Sequence, residues 1–529
     1  MTRLYLTTTI PYVNAAPHLG FALEAVQADV LARHHRRRGD EVRLLSGTDD
    51  NSLKNVLAAE AAGVPVRELV DRFADRFAAL PGPLALSYDD FLRTSADPRH
   101  PAGVERLWRA CAEAGDLYRA EYVGLYCVGC EAYLTEDDLD AAGHCPEHGV
   151  PPQRVAERNW FFRLSRYAEP LRAAIASGRL RIEPVARRNE VLAFLAGGLR
   201  DFSISRSTER ARGWGIAVPD DPDQVMYVWW DALGNYVTAL DFGAFDGPGA
   251  AYRRWWAGAD RRVHLVGKGV LRFHAIYWPA MLLSAGLPLP TDVLVHDYLT
   301  VDGRKISKSS GTAVDPVALV ERYGVDAVRW WLLREVPRVG DADFTVARLV
   351  DRANDDLAGG VGNLVNRVVA MLHRYRAGRP VPWSEPADPV AGPLRAACAA
   401  APDAVDAALA DVDFRRATAA VWAIVEQANR YVEQTRPWEL ARAERAAGGP
   451  AGSGRPAGEP ARTGPGAGEP PAALDVALGT LLAACRCLAE QLAPFLPDAA
   501  ARVTEQLTAV GGVLPPARPL FPRIDPDTI

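Results

Sequence analysis

The sequence of 529 residues contains no stretch of about 20 consecutive apolar residues, and no apolar run near its start precedes a cleavage site. These absences argue against a transmembrane helix and against secretion, so we expect a cytoplasmic protein. No Gly-x-Gly-x-x-Gly or Walker A sequence follows a predicted strand, which disfavours a dinucleotide-dependent enzyme and a P-loop ATPase. Internal repeats are also missing.

The chain has no excess of positive charge. Its 66 Asp and Glu residues outnumber 60 Lys and Arg residues, which gives a formal net charge of −6. Because such a chain has no overall attraction for nucleic acid, any contact with a polyanion must come from local basic faces. The basic run at 33–38 is one candidate, although a solvated helix end is the simpler explanation.

Cysteine is scarce, with seven residues in the chain. Four of them lie scattered in apolar helical patterns and are expected to be buried thiols: Cys111, Cys398, Cys485 and Cys487. The other three belong to one cluster near the middle of the first half of the chain. In a reducing compartment, clustered cysteines favour a metal site over disulfides.

That cluster has the spacing of a zinc site. Cys127-Val-Gly-Cys130 is followed, after fourteen residues, by Cys145-Pro-Glu-His148. Two such pairs can supply three thiolates and one imidazole to a tetrahedral Zn²⁺. The site is expected to be structural, because the protein fills all four positions. His144 is an alternative ligand, but it stands on the wrong side of Cys145 for the paired spacing.

The order of patterns along the chain predicts two to four domains, as its length requires. Strand and helix patterns alternate up to about residue 115 and again from about residue 215, which is typical of a doubly wound α/β sheet. One strand is predicted at 225–230, with a helix after it. Residues 117–214 read as an insertion. From about residue 350 the patterns are helical, interrupted by a Gly/Pro/Ala-rich tract at 446–473 that is expected to be a disordered loop.

Two short stretches point to a ligand with phosphate groups. Residues 9–21, with His18 and Gly20, lie between a predicted strand and a predicted helix, whose first N–H groups can bind an anion. Residues 303–312 carry Lys305 and Lys308 in a Ser/Gly-rich loop, so that two ammonium groups can reach one polyanion. Taken singly, the first could be an ordinary turn and the second a solvated basic loop.

In this order and at this separation, the two stretches resemble the paired signatures of class I aminoacyl-tRNA synthetases. The zinc pattern, Tyr227-Val-Trp229 and the segment 273–280 narrow the resemblance to the methionyl-tRNA synthetase family, over the whole chain except the Gly/Pro-rich tract. The resemblance implies a domain order. It gives a Rossmann-like catalytic domain at 1–116 and 215–290, a connective domain with a zinc knuckle inserted at 117–214, a segment at 291–350 that carries the lysine loop and contacts the tRNA stem, and an α-helical anticodon-binding domain at 351–529.

The resemblance also implies an activity, the ATP-dependent ligation of methionine to a tRNA with a CAU anticodon through methionyl-adenylate. The implied catalytic residues are His18, Lys305 and Lys308. The implied ATP-binding residues are His18, Gly20, Phe21, Arg206, Gly267, Gly269 and Lys308. The implied methionine-binding residues are Ile10, Tyr12, Asp49, Trp229, Ala232, Leu233, Tyr236, Val270 and His274. The implied anticodon readers are Asn363, Arg367 and Trp438, and the implied cofactors are ATP with Mg²⁺ and one structural Zn²⁺, in a monomer.

Core packing would explain each of the aromatic residues taken singly, and a solvated helix face would explain Asn363 and Arg367. Pro437-Trp438 is predicted to end a helix. The family context favours the binding roles.

Four departures from the family pattern lie around the expected nucleotide. Phe21 stands where the first signature has its second His, Asn51 belongs to a segment that usually reads Thr-Asp-Glu-His-Gly, Gly269 replaces an Asp near the ribose, and Asp297 replaces a Gly. They motivate alternatives: an altered or inhibitor-resistant ATP site, a paralogue that transfers an adenylated amino acid to a small molecule, or a weakly catalytic tRNA-binding protein. The expected anticodon residues argue against the paralogue with a small-molecule acceptor. The intact lysine loop argues against the weakly catalytic tRNA-binding protein.

Overall fold

The computed structural model describes residues 1–127, 132–134, 136–146, 149–306, 313–382, 389–447 and 472–525. The chain divides into two compact units. Unit 1 is formed by Met1–Leu319 with Arg338–Asp343, and unit 2 by Val320–Pro337 with Phe344–Ile529. Within the described ranges, no helix is both long enough and apolar enough to cross a membrane.

Unit 1 is built on a parallel sheet of six strands. In spatial order they are Asp90–Arg93, Glu41–Thr48, Arg3–Thr7, Arg261–Gly267, Asp292–His296 and Arg181–Glu183. The first strand in sequence is central. The chain order runs outward from it on one side, whereas on the other side the edge strand Arg181–Glu183 precedes Arg261–Gly267 and Asp292–His296 in the sequence. This arrangement confirms the predicted doubly wound α/β fold, with its switch point between Arg3–Thr7 and Arg261–Gly267.

Helices connect and cover this sheet. The α-helices are Leu19–Arg37, Leu53–Ala62, Val66–Ala78, Pro81–Leu84, Arg99–Glu113, Ala168–Ala176, Val185–Ala196, Val228–Thr238, Ala250–Tyr252 and Trp278–Ser284, with Pro316–Tyr323 at the boundary of the unit. Arg253–Ala257 and Phe273–Tyr277 are π-helical, and Glu136–Asp138, Leu164–Tyr167 and Lys268–Val270 are 3₁₀-helical. Leu4, Tyr5 and Leu6 are all buried, as expected for a parallel strand covered on both faces.

The described residues of unit 1 also form three smaller sheets. The first sheet has the strand order Ala132–Leu134, Leu117–Cys127, Gln153–Phe162 and Phe202–Ser203. The second has the order Ala217–Val218, Asp221–Met226 and Ser205–Ser207. The third has the order Arg304–Lys305, Leu299–Val301 and Ala342–Asp343. The first contains a long antiparallel pair, Leu117–Cys127 with Gln153–Phe162, within the predicted insertion. Arg181–Glu183, also in the predicted insertion, belongs to the central sheet, and the predicted domain boundaries stay predictions.

The strand predicted at 225–230 is wrong in its second half. The strand ends at Met226, and a helix begins at Val228. Nearly every residue of this helix is buried, and most are apolar, with Asp231, Asn235 and Thr238 as the buried polar exceptions. A short run of this kind does not distinguish a buried strand from a buried helix.

Unit 2 is helical in the residues that are described, as predicted. Its α-helices are Val325–Arg334, Val346–Arg352, Asn363–Arg376, Gly392–Ala410, Phe414–Thr435, Pro437–Ala447, Ala473–Leu492 and Pro497–Gln506, and its other helical segments are the π-helix Ala353–Gly362 and the 3₁₀-helix Pro389–Ala391. Most of the predicted disordered tract lies outside the described residues. Pro437 begins a helix rather than ending one, because Arg436 takes a left-handed conformation (φ 44°) that closes the preceding helix.

Candidate active site

A cavity of about 1410 Å³ lies at the carboxyl ends of the central strands of unit 1. Most of the residues expected to bind ATP or methionine line it together: Ile10, Tyr12, His18, Gly20, Phe21, Asp49, Trp229, Ala232, Leu233, Tyr236, Gly267, Gly269, Val270 and His274. They come from segments near residues 10–21, 49, 229–236 and 267–274, which are distant in the chain. Convergence at a strand-end crevice is the usual placement of a ligand in a doubly wound sheet.

His18 is fixed at the start of the helix Leu19–Arg37. The Gly20 amide donates a hydrogen bond to Nδ1 of His18 over 3.1 Å. Because Nδ1 accepts, a neutral His18 carries its proton on Nε2 and can donate it to an anion at the helix start. A Cβ at position 20 would lie 2.9 Å from Cε1 of His18, so a side chain there would displace the imidazole from this position.

Aromatic rings form a slot on one side of the cavity. The Trp229 ring stacks on Phe273, with centroids 3.6 Å apart and planes 8° apart, and Tyr12 meets Trp229 edge-on at 6.3 Å. Tyr236 and His274 close the slot, with the tyrosine hydroxyl 2.7 Å from Nε2 of His274. Flat, polarizable walls of this kind suit an apolar or thioether side chain.

The imidazole in this slot is neutral. Nδ1 of His274 donates to the carbonyl of Val270 over 2.9 Å, so Nε2 accepts from the Tyr236 hydroxyl. Burial lowers the pKa of His274 to about 4 and the pKa of the neighbouring His264 well below its usual range. Neither histidine therefore adds a positive charge to the slot at neutral pH, while the Lys54 ammonium lies 4.7 Å from the centroid of the Tyr12 ring.

Asp49 lies at the edge of the same cavity. Its backbone pairs with Tyr12 through a parallel β-bridge, and its amide donates to the carbonyl of Pro11 over 2.9 Å. The side chain is buried. A buried carboxylate beside an apolar slot is chemically suited to an ammonium group, and the pair of features would fit an amino acid with an uncharged side chain.

Asn51 lies behind Asp49 in a buried polar network. Its Nδ2 donates to Oδ2 of Asp231 over 2.7 Å, and Oδ1 of Asp231 lies 2.5 Å from Nε2 of His100. Asp50, beside it, accepts from the Ser95 hydroxyl over 2.8 Å, and burial raises the pKa of the Asp50 carboxyl. The departure at Asn51 is thus accommodated by contacts outside the cavity wall.

Asp297 is also held by protein contacts. Its buried carboxylate accepts hydrogen bonds from the Arg187 guanidinium and from the amide of Gly340, and it lies 4.0 Å from the Lys268 ammonium. The charge introduced at this position is therefore neutralised locally by two cations.

Sequence reasoning missed Glu24, which lines the cavity. Its carboxylate accepts from the Thr9 amide (2.7 Å) and from Nε2 of His296 (2.9 Å), while Nδ1 of His296 faces the Asp297 carbonyl. Burial alone would lower the pKa of His296, but Glu24 and Asp297 raise it, as fits a protonated ring whose two nitrogens both face acceptors. Helical spacing could have found Glu24, because it lies one turn after Gly20 and Phe21.

Arg206 is not brought to the cavity. Its guanidinium lies over the rings of Tyr126 and Tyr227, 4.7 Å and 4.3 Å from their centroids. Lys308 lies outside the described residues, and of Lys305 only the backbone is described. The strand Arg304–Lys305 pairs with Leu299–Val301, which follows the cavity-lining residues 296–298.

Only two of the four predicted zinc ligands are described, Cys127 and Cys145; Cys130 and His148 lie outside the described residues. Cys127 ends the strand Leu117–Cys127, and Cys145 begins a turn in which the Gly149 amide donates to its carbonyl over 2.8 Å. Both cysteines are buried. Among the described residues, no group of three or more His, Cys, Asp and Glu side chains could hold a metal ion.

In unit 2, two of the expected anticodon readers are in contact. The Arg367 guanidinium lies 5.5 Å from the centroid of the Trp438 ring, and this ring is 38% exposed. Asn363 is exposed at the start of the helix Asn363–Arg376, one turn before Arg367. The three side chains thus combine an exposed stacking surface, a cation and an amide.

Comparison with known proteins gives concordant results. A family model described as tRNA synthetases class I (M) matches residues 4–157 and 148–369. The chain is 41% identical over 443 residues to the methionine–tRNA ligase of Thermotoga maritima, covering 83% of this chain and 69% of the relative, and 42% identical over 453 residues to that of Mycobacterium tuberculosis, covering 84% and 85%. Its structure is similar to that of M. tuberculosis methionyl-tRNA synthetase in complex with methionyl-adenylate, with a TM-score of 0.89, 37% identity and coverage of 99% and 100%.

Proposed function

Because the chain belongs to the methionyl-tRNA synthetase family of class I tRNA synthetases, we propose that it ligates L-methionine to tRNA in a reaction driven by ATP. The observation that carries this proposal is the single cavity that joins the neutral aromatic slot of Tyr236 and His274 to the helix start capped by His18. One half of the cavity suits the methionine side chain, and the other suits a phosphate chain.

The reaction has two steps. The methionine carboxylate attacks the α-phosphorus of ATP, which forms methionyl-adenylate and releases pyrophosphate. A hydroxyl of the 3′-terminal ribose of the tRNA then attacks the activated carbonyl and releases AMP. No covalent enzyme intermediate is needed, so the protein contributes orientation and charge stabilisation.

The proposed roles follow from the chemistry of each group. Asp49 would hold the α-ammonium group of methionine, which aims the carboxylate at the nucleotide. Nε2 of His18 would donate to the phosphates, where negative charge increases as pyrophosphate leaves. Lys305 and Lys308 would add two positive charges beside the same phosphates. Mg²⁺ would enter with ATP and offset the negative charge of the phosphates.

Two further sites are part of the proposal. One structural Zn²⁺ would be bound by Cys127, Cys130, Cys145 and His148, and it would hold the two segments that carry the ligand pairs close to each other. Asn363, Arg367 and Trp438 would recognise the CAU anticodon, because unpaired bases are bound by stacking and by hydrogen bonds to their edges. The activity itself implies a cytoplasmic location, and the monomeric state stays a prediction.

Transfer of radiolabelled methionine to tRNA tests the proposal against its rivals. Full-length protein with ATP should charge a tRNA that carries the CAU anticodon and should charge a variant with a changed anticodon much less. Formation of adenylate without charging of any tRNA would favour a small-molecule acceptor. Absence of adenylate would favour a tRNA-binding protein.

A further inference from the structure

The loop after the strand Arg261–Gly267 leaves no space for a side chain at position 269. A Cβ there would overlap the hydroxyl oxygen of Tyr298 and would lie 3.2 Å from its Cζ. The φ angle of Gly269 is not in the positive region, so its conformation does not require glycine. Glycine is therefore needed at this position to make room for the tyrosine.

Tyr298 is held in this place by a charged neighbour. The Tyr298 amide donates to Oδ1 of Asp341 over 3.0 Å, and the Lys268 ammonium donates to the same oxygen over 2.5 Å. Lys268 also lies 4.6 Å from the centroid of the tyrosine ring. Burial would raise the pKa of Asp341, but these two donors lower it, so the carboxylate is charged and fixes both partners.

The position of this hydroxyl in the cavity favours one part of the nucleotide. His18 and the helix start beside it follow the strand Arg3–Thr7 and suit phosphates, while Gly269 and Tyr298 line the cavity beside the next strand, Arg261–Gly267. The switch point lies between these two strands, and a nucleotide that crosses it places its ribose beyond the phosphates. In the dinucleotide-binding form of this fold an Asp or Glu binds the ribose 2′-hydroxyl, and position 269 offers no carboxylate.

We propose that the hydroxyl of Tyr298 binds the ribose of ATP, and that Gly269 and Tyr298 act as one pair in place of a carboxylate. A phenol hydroxyl can donate one hydrogen bond and accept another, so it can pair with a sugar hydroxyl in either direction. The inference rests on the proposed function, because it takes ATP to be the nucleotide in this cavity.

The test compares ATP with 2′-deoxyATP and 3′-deoxyATP in methionine-dependent pyrophosphate exchange. Wild-type protein should have a lower KM for ATP than for at least one deoxynucleotide. Tyr298→Phe should raise the KM for ATP roughly three- to tenfold, as expected for one neutral hydrogen bond. The variant should lose most of the discrimination against that deoxynucleotide and keep the wild-type KM for methionine.

Tyr375→Phe, in unit 2, is the matched control and should keep wild-type values. Unchanged discrimination between ATP and both deoxynucleotides in Tyr298→Phe would overturn the inference while leaving the proposed function intact. Absence of exchange in the wild type would overturn both.

A second comparison tests the pairing itself. Gly269→Ala should raise the KM for ATP in the wild type, because the added Cβ displaces the tyrosine hydroxyl. The same substitution should have a much smaller effect in the Tyr298→Phe protein, where that oxygen is absent. Equal effects in the two backgrounds would show that positions 269 and 298 act independently and would contradict the pair.

Discussion

The ring of Phe21 packs edge-on against the ring of Phe77, with centroids 5.2 Å apart and planes at 80°. Phe21 is only 7% exposed, although it lines the cavity at the position where the family signature implies a histidine. Each of the other three departures also has a partner: Asn51 with Asp231, Asp297 with Arg187, and Gly269 with Tyr298. The departures are therefore accommodated one by one within unit 1.

Phe21→His should not improve the use of ATP. The substitution removes an aromatic pair worth about 0.5–1.5 kcal/mol and turns a polar ring toward Phe77. We expect a lower melting temperature and an equal or higher KM for ATP, measured by thermal unfolding and by pyrophosphate exchange. Phe21→Leu, which keeps an apolar side chain, should have a smaller effect on KM. A lower KM for ATP in Phe21→His would contradict this interpretation.

The sequence alone predicts the site residues that belong to motifs. It does not predict which residues from other parts of the chain contact them. His18, Tyr12 and Trp229 belong to recognisable segments, and the structure brings all three to one cavity. Phe77 belongs to no motif, and its role depends on how the helix Val66–Ala78 packs on the site. Arg187 lies 110 residues from Asp297, a separation over which a single sequence carries no pairing information.

For Arg206, the resemblance predicts a role at the site, but the structure does not bring its side chain to the cavity. It was assigned to ATP from its resemblance alone, yet its guanidinium lies between the rings of Tyr126 and Tyr227. Tyr126 belongs to the strand Leu117–Cys127 and Tyr227 precedes the helix Val228–Thr238, so the enclosure of the cation depends on tertiary packing. Its assignment to ATP stays a prediction.

His274 should titrate far below a typical histidine. Because burial lowers its pKa to about 4, the folded state binds this proton less readily than the unfolded state. The free energy of unfolding is therefore unaffected by this group above the ordinary pKa of about 6.5. It decreases as the pH falls toward 4, by up to about 3 kcal/mol.

NMR of the histidine ring signals measures this pKa directly, and the signal that disappears in His274→Gln identifies the residue. A midpoint near 4 is expected. A midpoint near 6.5 would contradict the neutral slot.

The purified protein should contain one zinc per chain. Cys130→Ser removes one of four proposed ligands, so zinc content and melting temperature should both fall, since metal binding and folding are linked in structural sites. Cys398→Ser, in unit 2, is the matched control and should keep its zinc. Equal zinc content in Cys130→Ser and in the wild type would contradict the proposed zinc site.

Trp438→Ala should separate the two steps of the reaction. Stacking of a base on an aromatic ring is worth about 1–3 kcal/mol, so the variant should charge tRNA about five- to 150-fold less efficiently. Pyrophosphate exchange, which needs no tRNA, should be nearly unchanged. Phe245→Ala, at a fully exposed aromatic residue of unit 1, controls for the loss of a surface ring. Equal losses in both assays would assign Trp438 to packing instead.

The central claim is that the neutral aromatic slot selects methionine for activation by ATP. Pyrophosphate exchange with the twenty amino acids, one at a time, tests it most directly, with Lys308→Ala as the variant that should lose most of the activity. The account predicts strong exchange with methionine, weak exchange with residues of similar shape and none with charged ones. Exchange that depends on a different amino acid, or no exchange with any of them, would contradict it.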